Sequence, residues 1–355
     1  MKIISVNTYL KDLDLIKPFT IAYKTVSKVE NVFFEIELEN GICGIGSANP
    51  SPQVVGETPE QALDTLQSEF VNSFIGKDIR HFNELIDKMA MQYPESPGAL
   101  AAIDIALHDA FCKYLGIPVV EFYGQKIRKM PTSVTIGIMS VQESLKEAAE
   151  YYKQGFRIIK VKTGTDVDED TERIRLLHEH YANKLQIRVD ANQGYDINQL
   201  GKFIKNTASC NVELIEQPLP VGQESELSVL DYETRKTLAA DESLIHSGMA
   251  LKLCHEPMPY GIFNIKLMKC GGIKGALEIS NIAQKANIDL FWGCNDESIV
   301  SISAALHVAF SCSNTRYIDL DGSFDLGEDI VKGGFALDKG FMSPLGLPGL
   351  GVKKI

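Results

Sequence analysis

From Pro131 to Asp321 the chain alternates short apolar runs with stretches of helical period, one pair about every 25 residues. Runs at 132–136, 157–162, 186–190, 212–216, 237–241, 262–266, 288–292 and 316–320 read as strands. Seven helical segments separate them, among them Val141 to Lys153 and Ile273 to Lys285. Eight strands with intervening helices predict an α/β fold, a (β/α)7β-type TIM barrel, because eight strands close a sheet around a core that side chains can fill. Ahead of it the period is different. Ile3 to Leu10 and Val32 to Leu38 alternate as strands, and Glu39-Asn40-Gly41 is a hairpin signal leading into Ile42 to Gly46. Lys17 to Lys24 reads as a loop, too long for a hairpin turn. Helices are expected at Thr58 to Phe74, with Thr58 as cap and Pro59 at the first helical position, at Phe82 to Met91, and at Gly98 to Leu115. The tail from Gly333 to Ile355 is glycine-rich and without strong period. These breaks predict an α+β domain over 1–125, the barrel over 126–325 and a segment over 326–355 that packs back on the first domain.

Ionisable residues close the apolar runs at a nearly constant interval. Lys162, Asp190, Glu216, Asp241 and Lys266 are 28, 26, 25 and 25 residues apart, each at the C-terminal end of its strand, where a barrel of this kind gathers its chemistry. Solvated loop charges have no reason to keep such a period. Asp190, Glu216 and Asp241 end adjacent strands, so their oxygens can converge on one hard cation, and oxygen-only ligation favours Mg²⁺. Lys162 and Lys266 end strands four apart in a ring of eight, hence on opposite sides of whatever the cation holds. Lys160 points to the same side of its strand as Lys162 and brings a second ammonium near it, which favours the uncharged amine. A metal-held carboxylate with a lysine on each face suits removal of a proton alpha to that carboxylate, with the enediolate charge stabilised by the cation and ammonium groups.

Composition narrows the partners. The 355 residues exceed the roughly 250 of a bare barrel, which leaves room for the first domain. A net charge of −12 argues against nucleic acid or an anionic membrane surface. Seven cysteines form no CxxC pair, and Met1 to Thr20 lacks a signal-peptide apolar core, so a reducing cytoplasm is expected. His178 and His180 face apart on a helix, and Gly271-Gly272 is read as a tight strand-to-helix turn. Asp104, His108 and Asp109 are read as cap or interface residues of their helix.

Taken together, Lys160-Val161-Lys162, Asp190-Ala191-Asn192-Gln193-Gly194, Glu216-Gln217-Pro218, Asp241-Glu242-Ser243 and Asn264-Ile265-Lys266-Leu267-Met268-Lys269 resemble the enolase superfamily in its muconate-lactonizing-enzyme subgroup. The resemblance spans nearly the whole chain and implies that the α+β domain is a capping domain. It also implies Lys162 and Lys266 as acid-base residues, Lys160 in support, and Asp190, Glu216 and Asp241 as Mg²⁺ ligands. Asp319-Leu320-Asp321 on the eighth strand looks like the DxD of dipeptide epimerases, where both aspartates receive the substrate ammonium. The expected substrate is therefore a dipeptide and the expected reaction epimerisation, of the L-Ala-L-Xaa to L-Ala-D-Xaa type. Thr135 belongs to the implied substrate site. In L-Ala-D/L-Glu epimerases, which the chain resembles, a cap-loop arginine meets the substrate glutamate, and this chain has Lys24 there, which keeps the charge without the bidentate fork. Asp296 replaces a usual apolar residue and would repel an acidic second residue or favour a cationic one. Ser47 stands where glutamate is common.

Other readings share parts of this set. N-acylamino acid racemase, o-succinylbenzoate synthase and muconate cycloisomerase use the same lysines and acids, but their substrates bring no free ammonium to Asp319 and Asp321. A Schiff-base lyase could use a strand-end lysine, leaving the acids idle. A metal-dependent binder without turnover would have no use for Lys162 and Lys266. The preferred side chain and any homo-oligomer are not determined by the sequence.

Overall fold

In the computed structural model, residues 1–21 and 24–355 are described, and side chains are described outside 17–26. The first three strands, β1 (Ile3–Ile21), β2 (Lys24–Leu38) and β3 (Cys43–Ala48), form an antiparallel sheet. Gly41, at φ 79°, makes the turn expected at Asn40-Gly41. Of the loop expected at 17–24, residues 17–21 and Lys24 are instead strand, and residues 22 and 23 lie outside the described residues. Ile21 pairs with Lys24 and Phe19 with Val26, after a register shift between Asp14 and Phe19. Pro18, which lacks an N–H to donate, falls within that shift, so the ladder bends around it rather than ending.

Thr58 caps its helix through a capping box with Gln61, but that helix stops at Leu66. Ser68 then accepts the N–H of Val71 and starts a second short helix, Glu69–Asn72, so the single helix expected over 58–74 is two. Helix Pro97–Leu115 is buried along most of its length, pressed between the antiparallel sheet and the barrel. Close approach to the sheet needs glycine: a Cβ on Gly46 would stand 1.9 Å from the Ala102 carbonyl. Its charged residues serve the interfaces. Asp104 accepts the N–H groups of Ile273 and Lys274 at 2.8 and 3.1 Å, at the start of helix Ile273–Lys285, and Asp109 accepts those of Ile45 and Leu350.

After β4 (Met130–Pro131) come β5 (Val134–Ile136), β6 (Ile158–Lys162), β7 (Gln186–Asp190), β8 (Val212–Glu216), β9 (Leu238–Ala240), β10 (Ile262–Ile265), β11 (Asp289–Trp292) and β12 (Thr315–Ile318). They form one parallel sheet in sequence order. The Ser133 N–H donates to the Ile318 carbonyl, and a bridge between Thr132 and Ile318 joins the first strand to the last. The expected eight-stranded α/β barrel is therefore present. Alternation turns Leu214, Ala239, Ile262 and Phe291 inward as a small core with Tyr317, apart from the larger core under the helices and the first domain. Two residues further along, the same parity brings Glu216, Asp241, Asn264 and Asp319 to the mouth.

The tail holds more structure than its glycines suggest. β13 (Val331–Gly333) pairs with β16 (Val352–Lys354), and β14 (Phe335–Asp338) pairs with β15 (Phe341–Pro344), which also pairs with β4. Lys354 reaches Glu35 of β2 at 2.6 Å. Strands of three or four residues interrupted by glycines leave no alternating face to read. All seven cysteines are free, and among the described residues no helix is long and apolar enough to cross a membrane.

Candidate active site

Parallel pairing sets the mouth: Lys162 lies beside Asp190, and Asp190 beside Glu216 after a register shift between Ile187 and Arg188. Each of the three carboxylates has one oxygen held by the protein frame. Asp190 Oδ1 accepts the Asn192 N–H at 3.0 Å, Glu216 Oε1 accepts Asn264 Nδ2 at 2.6 Å, and Asp241 Oδ1 accepts from Lys269 Nζ. The other oxygens face the lysines. Lys162 Nζ is 2.7 Å from Asp190 Oδ2, Lys266 Nζ is 2.9 Å from Asp241 Oδ2, and Lys160 Nζ is 3.3 Å from Asp190 Oδ2 and 3.0 Å from Glu216 Oε2. Lys162 also donates to Asn192 Oδ1 at 2.9 Å.

Burial sharpens these charges. Burial opposes the Lys160 ammonium, but Asp319, Glu216 and Asp190 outweigh it and hold the group protonated. Lys266 is likewise raised, its burial overridden by Asp241 and then Glu216. Burial would lift Asp190 and Asp241, yet Lys162 and Lys160 hold Asp190 low, and Lys266 and Lys269 hold Asp241 low. Glu216 goes the other way, to about 8, through burial and then repulsion from Asp190. Lys160 thus sits among three acids, Asp319, Glu216 and Asp190, which share its charge.

Does this set fit a divalent cation? Among the described residues no three His, Cys, Asp or Glu side chains stand ready as a metal cage, because the ammonium groups draw the carboxylates towards themselves. The chemistry of the donors nonetheless fits. They are all oxygens, one from the end of each of three adjacent strands, and Glu216 Oε2 is buried without a hydrogen bond, 3.0 Å from the Lys160 ammonium.

Beyond the carboxylates lie Asp319 and Asp321, just past the end of β12. Asp319, 3% exposed, is occupied by Lys160 Nζ at 2.7 Å and Ser133 Oγ at 2.6 Å. Asp321 is more open; its side chain accepts the Thr135 N–H at 2.8 Å, and burial and then Asp319 push it to about 8. Asp296, in the loop after β11, is half-buried and within electrostatic reach of both Lys162 and Lys266. The side chain of Lys24 lies outside the described residues.

The structure thus brings Lys160, Lys162, Lys266, Asp190, Glu216, Asp241, Asp319, Asp321, Thr135 and Asp296 to one end of the barrel. It adds Asn192, Asn264, Lys269 and Ser133, whose contacts with the acids and Lys162 sequence reasoning did not assign. Asn264 and Lys269 sit two before and three after Lys266, so one short segment supplies a lysine and clamps two carboxylates.

Comparison with known proteins agrees with this geometry. Residues 3–124 match the mandelate racemase / muconate lactonizing enzyme N-terminal domain, and residues 143–354 match the enolase C-terminal domain-like family. The L-Lys-D/L-Arg epimerase of Desulforapulum autotrophicum is 50% identical over 355 residues, all of both chains. The N-succinyl-L-Arg/Lys racemase of Bacillus cereus is 32% identical, over 99% of this chain and 95% of its own. The crystal structure of the dipeptide epimerase from Methylococcus capsulatus complexed with Mg and the dipeptide L-Arg-D-Lys superposes with a TM-score of 0.97 at 44% identity, covering 99% of each chain.

Proposed function

The chain belongs to the enolase superfamily, in its mandelate racemase and muconate lactonizing enzyme family, and is an isomerase of the racemase and epimerase kind; from this premise we propose that it epimerises dipeptides whose second residue carries a cationic side chain. The observation that carries the choice of side chain is Asp296. Its carboxylate, in the loop after β11, lies within electrostatic reach of the two lysines that would flank the reacting carbon, which supports a place beside the side chain of the residue being inverted. The names of the relatives from D. autotrophicum and M. capsulatus support a cationic preference.

In this reading Asp190, Glu216 and Asp241 would hold Mg²⁺, which would supply positive charge beside the substrate carboxylate. Lys162 takes the α-proton from one face and Lys266 returns one to the other, or the reverse, so that configuration inverts. To act as base each must shed its proton, which requires its carboxylate partner, Asp190 or Asp241, to be engaged elsewhere. Lys160 stays charged between Asp319, Glu216 and Asp190 and stabilises the developing anion. Asp321 receives the dipeptide ammonium beside the Thr135 backbone, and Asp319 acts with it by orienting Lys160.

The racemase of B. cereus keeps an alternative in view, since it too acts on arginine and lysine derivatives but with the amine succinylated. Asp319 and Asp321 favour the free amine: a succinyl carboxylate would bring a negative charge to two acids. The test is deuterium uptake at the α-carbon across a library of L-Xaa-L-Xaa dipeptides and N-succinylamino acids. Fastest uptake by dipeptides ending in lysine or arginine is expected; preference for N-succinyl substrates would replace this reading with the racemase.

A further inference from the structure

Lys162 owes its place to a turn, and that turn is fastened from behind. After β6 the chain passes through Thr163 and Gly164 into helix Val167–Tyr181, and after β7 it passes through Ala191 to Tyr195 into helix Ile197–Thr207. The two turns touch backbone to backbone. A Cβ on Gly164 would lie 2.2 Å from the Ala191 carbonyl, and one on Gly194 would lie 2.2 Å from the Gly164 carbonyl. The Thr163 N–H donates to the Asp190 carbonyl at 2.8 Å, so the residue following Lys162 is tied to a proposed metal ligand. Asn192 and Gln193, at φ 41° and 68°, are non-glycine residues in the left-handed region and need that support.

At the junction is one buried carboxylate. Asp170, 1% exposed, accepts the Gly164 N–H and the Tyr195 hydroxyl on the same oxygen, each at 2.8 Å, while its other oxygen takes the Arg173 guanidinium. Tyr195 and Arg173 are themselves buried, and Arg173 reaches on to the Met139 carbonyl in the loop after β5 at 3.4 Å. Burial, with Asp170 next, keeps the Tyr195 phenol neutral and donating. Three successive loops of the mouth therefore meet on Asp170. Of the partners of Lys162, Asp190 ends β7 and Asn192 belongs to the loop that Tyr195 closes. Lys266 lies four strands away, on β10's end, and is held by Asp241.

We propose that Asp170 and Tyr195 are positioning residues for Lys162 alone, aligning one of the two proton-transfer faces while leaving the Lys266 face to its own supports. A buried, charge-assisted junction whose members touch no substrate would be wasted on a surface turn; here it fixes the relation between the end of β6 and the loop of β7. This rests on the two-lysine reading above.

The test is α-proton exchange in deuterium oxide, run separately on the two epimers of one dipeptide, in wild type, Lys162→Ala, Tyr195→Phe and Asp170→Asn. Tyr195→Phe should slow the epimer whose exchange Lys162→Ala abolishes by about tenfold or more, since small misplacements of a reacting group cost up to about a hundredfold, and leave the other epimer within about twofold. Asp170→Asn should give the same asymmetry, larger; if it fails to fold, Tyr195→Phe decides. Amine labelling read by mass spectrometry adds an arm that needs no turnover: labelling of Lys162 relative to Lys266 should rise in Tyr195→Phe. Equal slowing of both epimers, or none, overturns the inference while leaving the epimerase reading intact. Absence of exchange in the wild type overturns that reading, and an unchanged labelling ratio then overturns this one as well.

Discussion

Replacing Asp296 by asparagine keeps its shape and removes its charge, so the effect isolates what the carboxylate does for a cationic substrate. The group is half-buried, and burial, then repulsion from Asp325, raises it to about 6 against the pull of Lys162 and Lys266. A charge-assisted hydrogen bond in such a place is worth roughly 1.5–3 kcal/mol, about tenfold to a hundredfold in kcat/KM. Asp296→Asn should therefore cut kcat/KM for L-Ala-L-Lys by that factor and leave L-Ala-L-norleucine within about twofold. Sign follows from the titration. The carboxylate is charged above its pKa, so wild-type selectivity for lysine over norleucine should be full near pH 8 and decline as the pH falls through about 6. Polarimetric rates for both substrates, in both proteins, between about pH 5.5 and about pH 8 give the ratio directly. A ratio that Asp296→Asn does not change, or that pH does not change in the wild type, refutes the assignment.

Three further outcomes are expected. A chelator should abolish activity and Mg²⁺ restore it, and Glu216→Gln should lose metal binding by calorimetry while its circular dichroism stays wild type; retained binding would remove Glu216 from the ligand set. Asp321→Asn should reduce the preference for free-amine over N-acetyl dipeptides by about tenfold to a hundredfold in kcat/KM without changing Mg²⁺ affinity. Glu57, 2% exposed and accepting the N–H groups of Gly98 and Ala99, is pushed by burial from 4.5 to about 7. Folding therefore favours its protonated form, with the benefit complete below about pH 4.5 and lost as the pH rises through about 7. Glu57→Gln should gain on the wild type in urea unfolding over that window, by on the order of 3 kcal/mol at most.

The barrel and its charged rim were legible because each strand brings the same two signals, an apolar run and an ionisable end, at a fixed interval. Residues that hold those ends in place were not. Asn264 and Lys269 stood in a quoted motif, yet nothing in their spacing says that one reaches Glu216 on β8 and the other Asp241 past β9, since those contacts arise only when the sheet curls. Asp170 reads as one of three acids in the first turn of a helix, where a negative charge is ordinary. Alternation puts Asp319 and Asp321 on one side of their strand but does not show that Lys160, on β6, reaches Asp319 across the closed barrel. The run through Pro18, the break at Ser68 and the short strands of the tail have separate causes: the first continues a ladder across a register shift, the second is a local cap that accepts the Val71 N–H, and the third are strands too short to show a period.

The central claim is that Lys162 and Lys266 serve opposite faces of one α-carbon. The most direct measurement is deuterium exchange at that carbon, by NMR, for the L,L and L,D epimers of the best dipeptide in Lys162→Ala and Lys266→Ala, each shown to bind the ligand. The account predicts that each variant still exchanges the proton of one epimer, a different one in each, with configuration retained and no interconversion. Loss of exchange from both epimers to the same extent in both variants would contradict it.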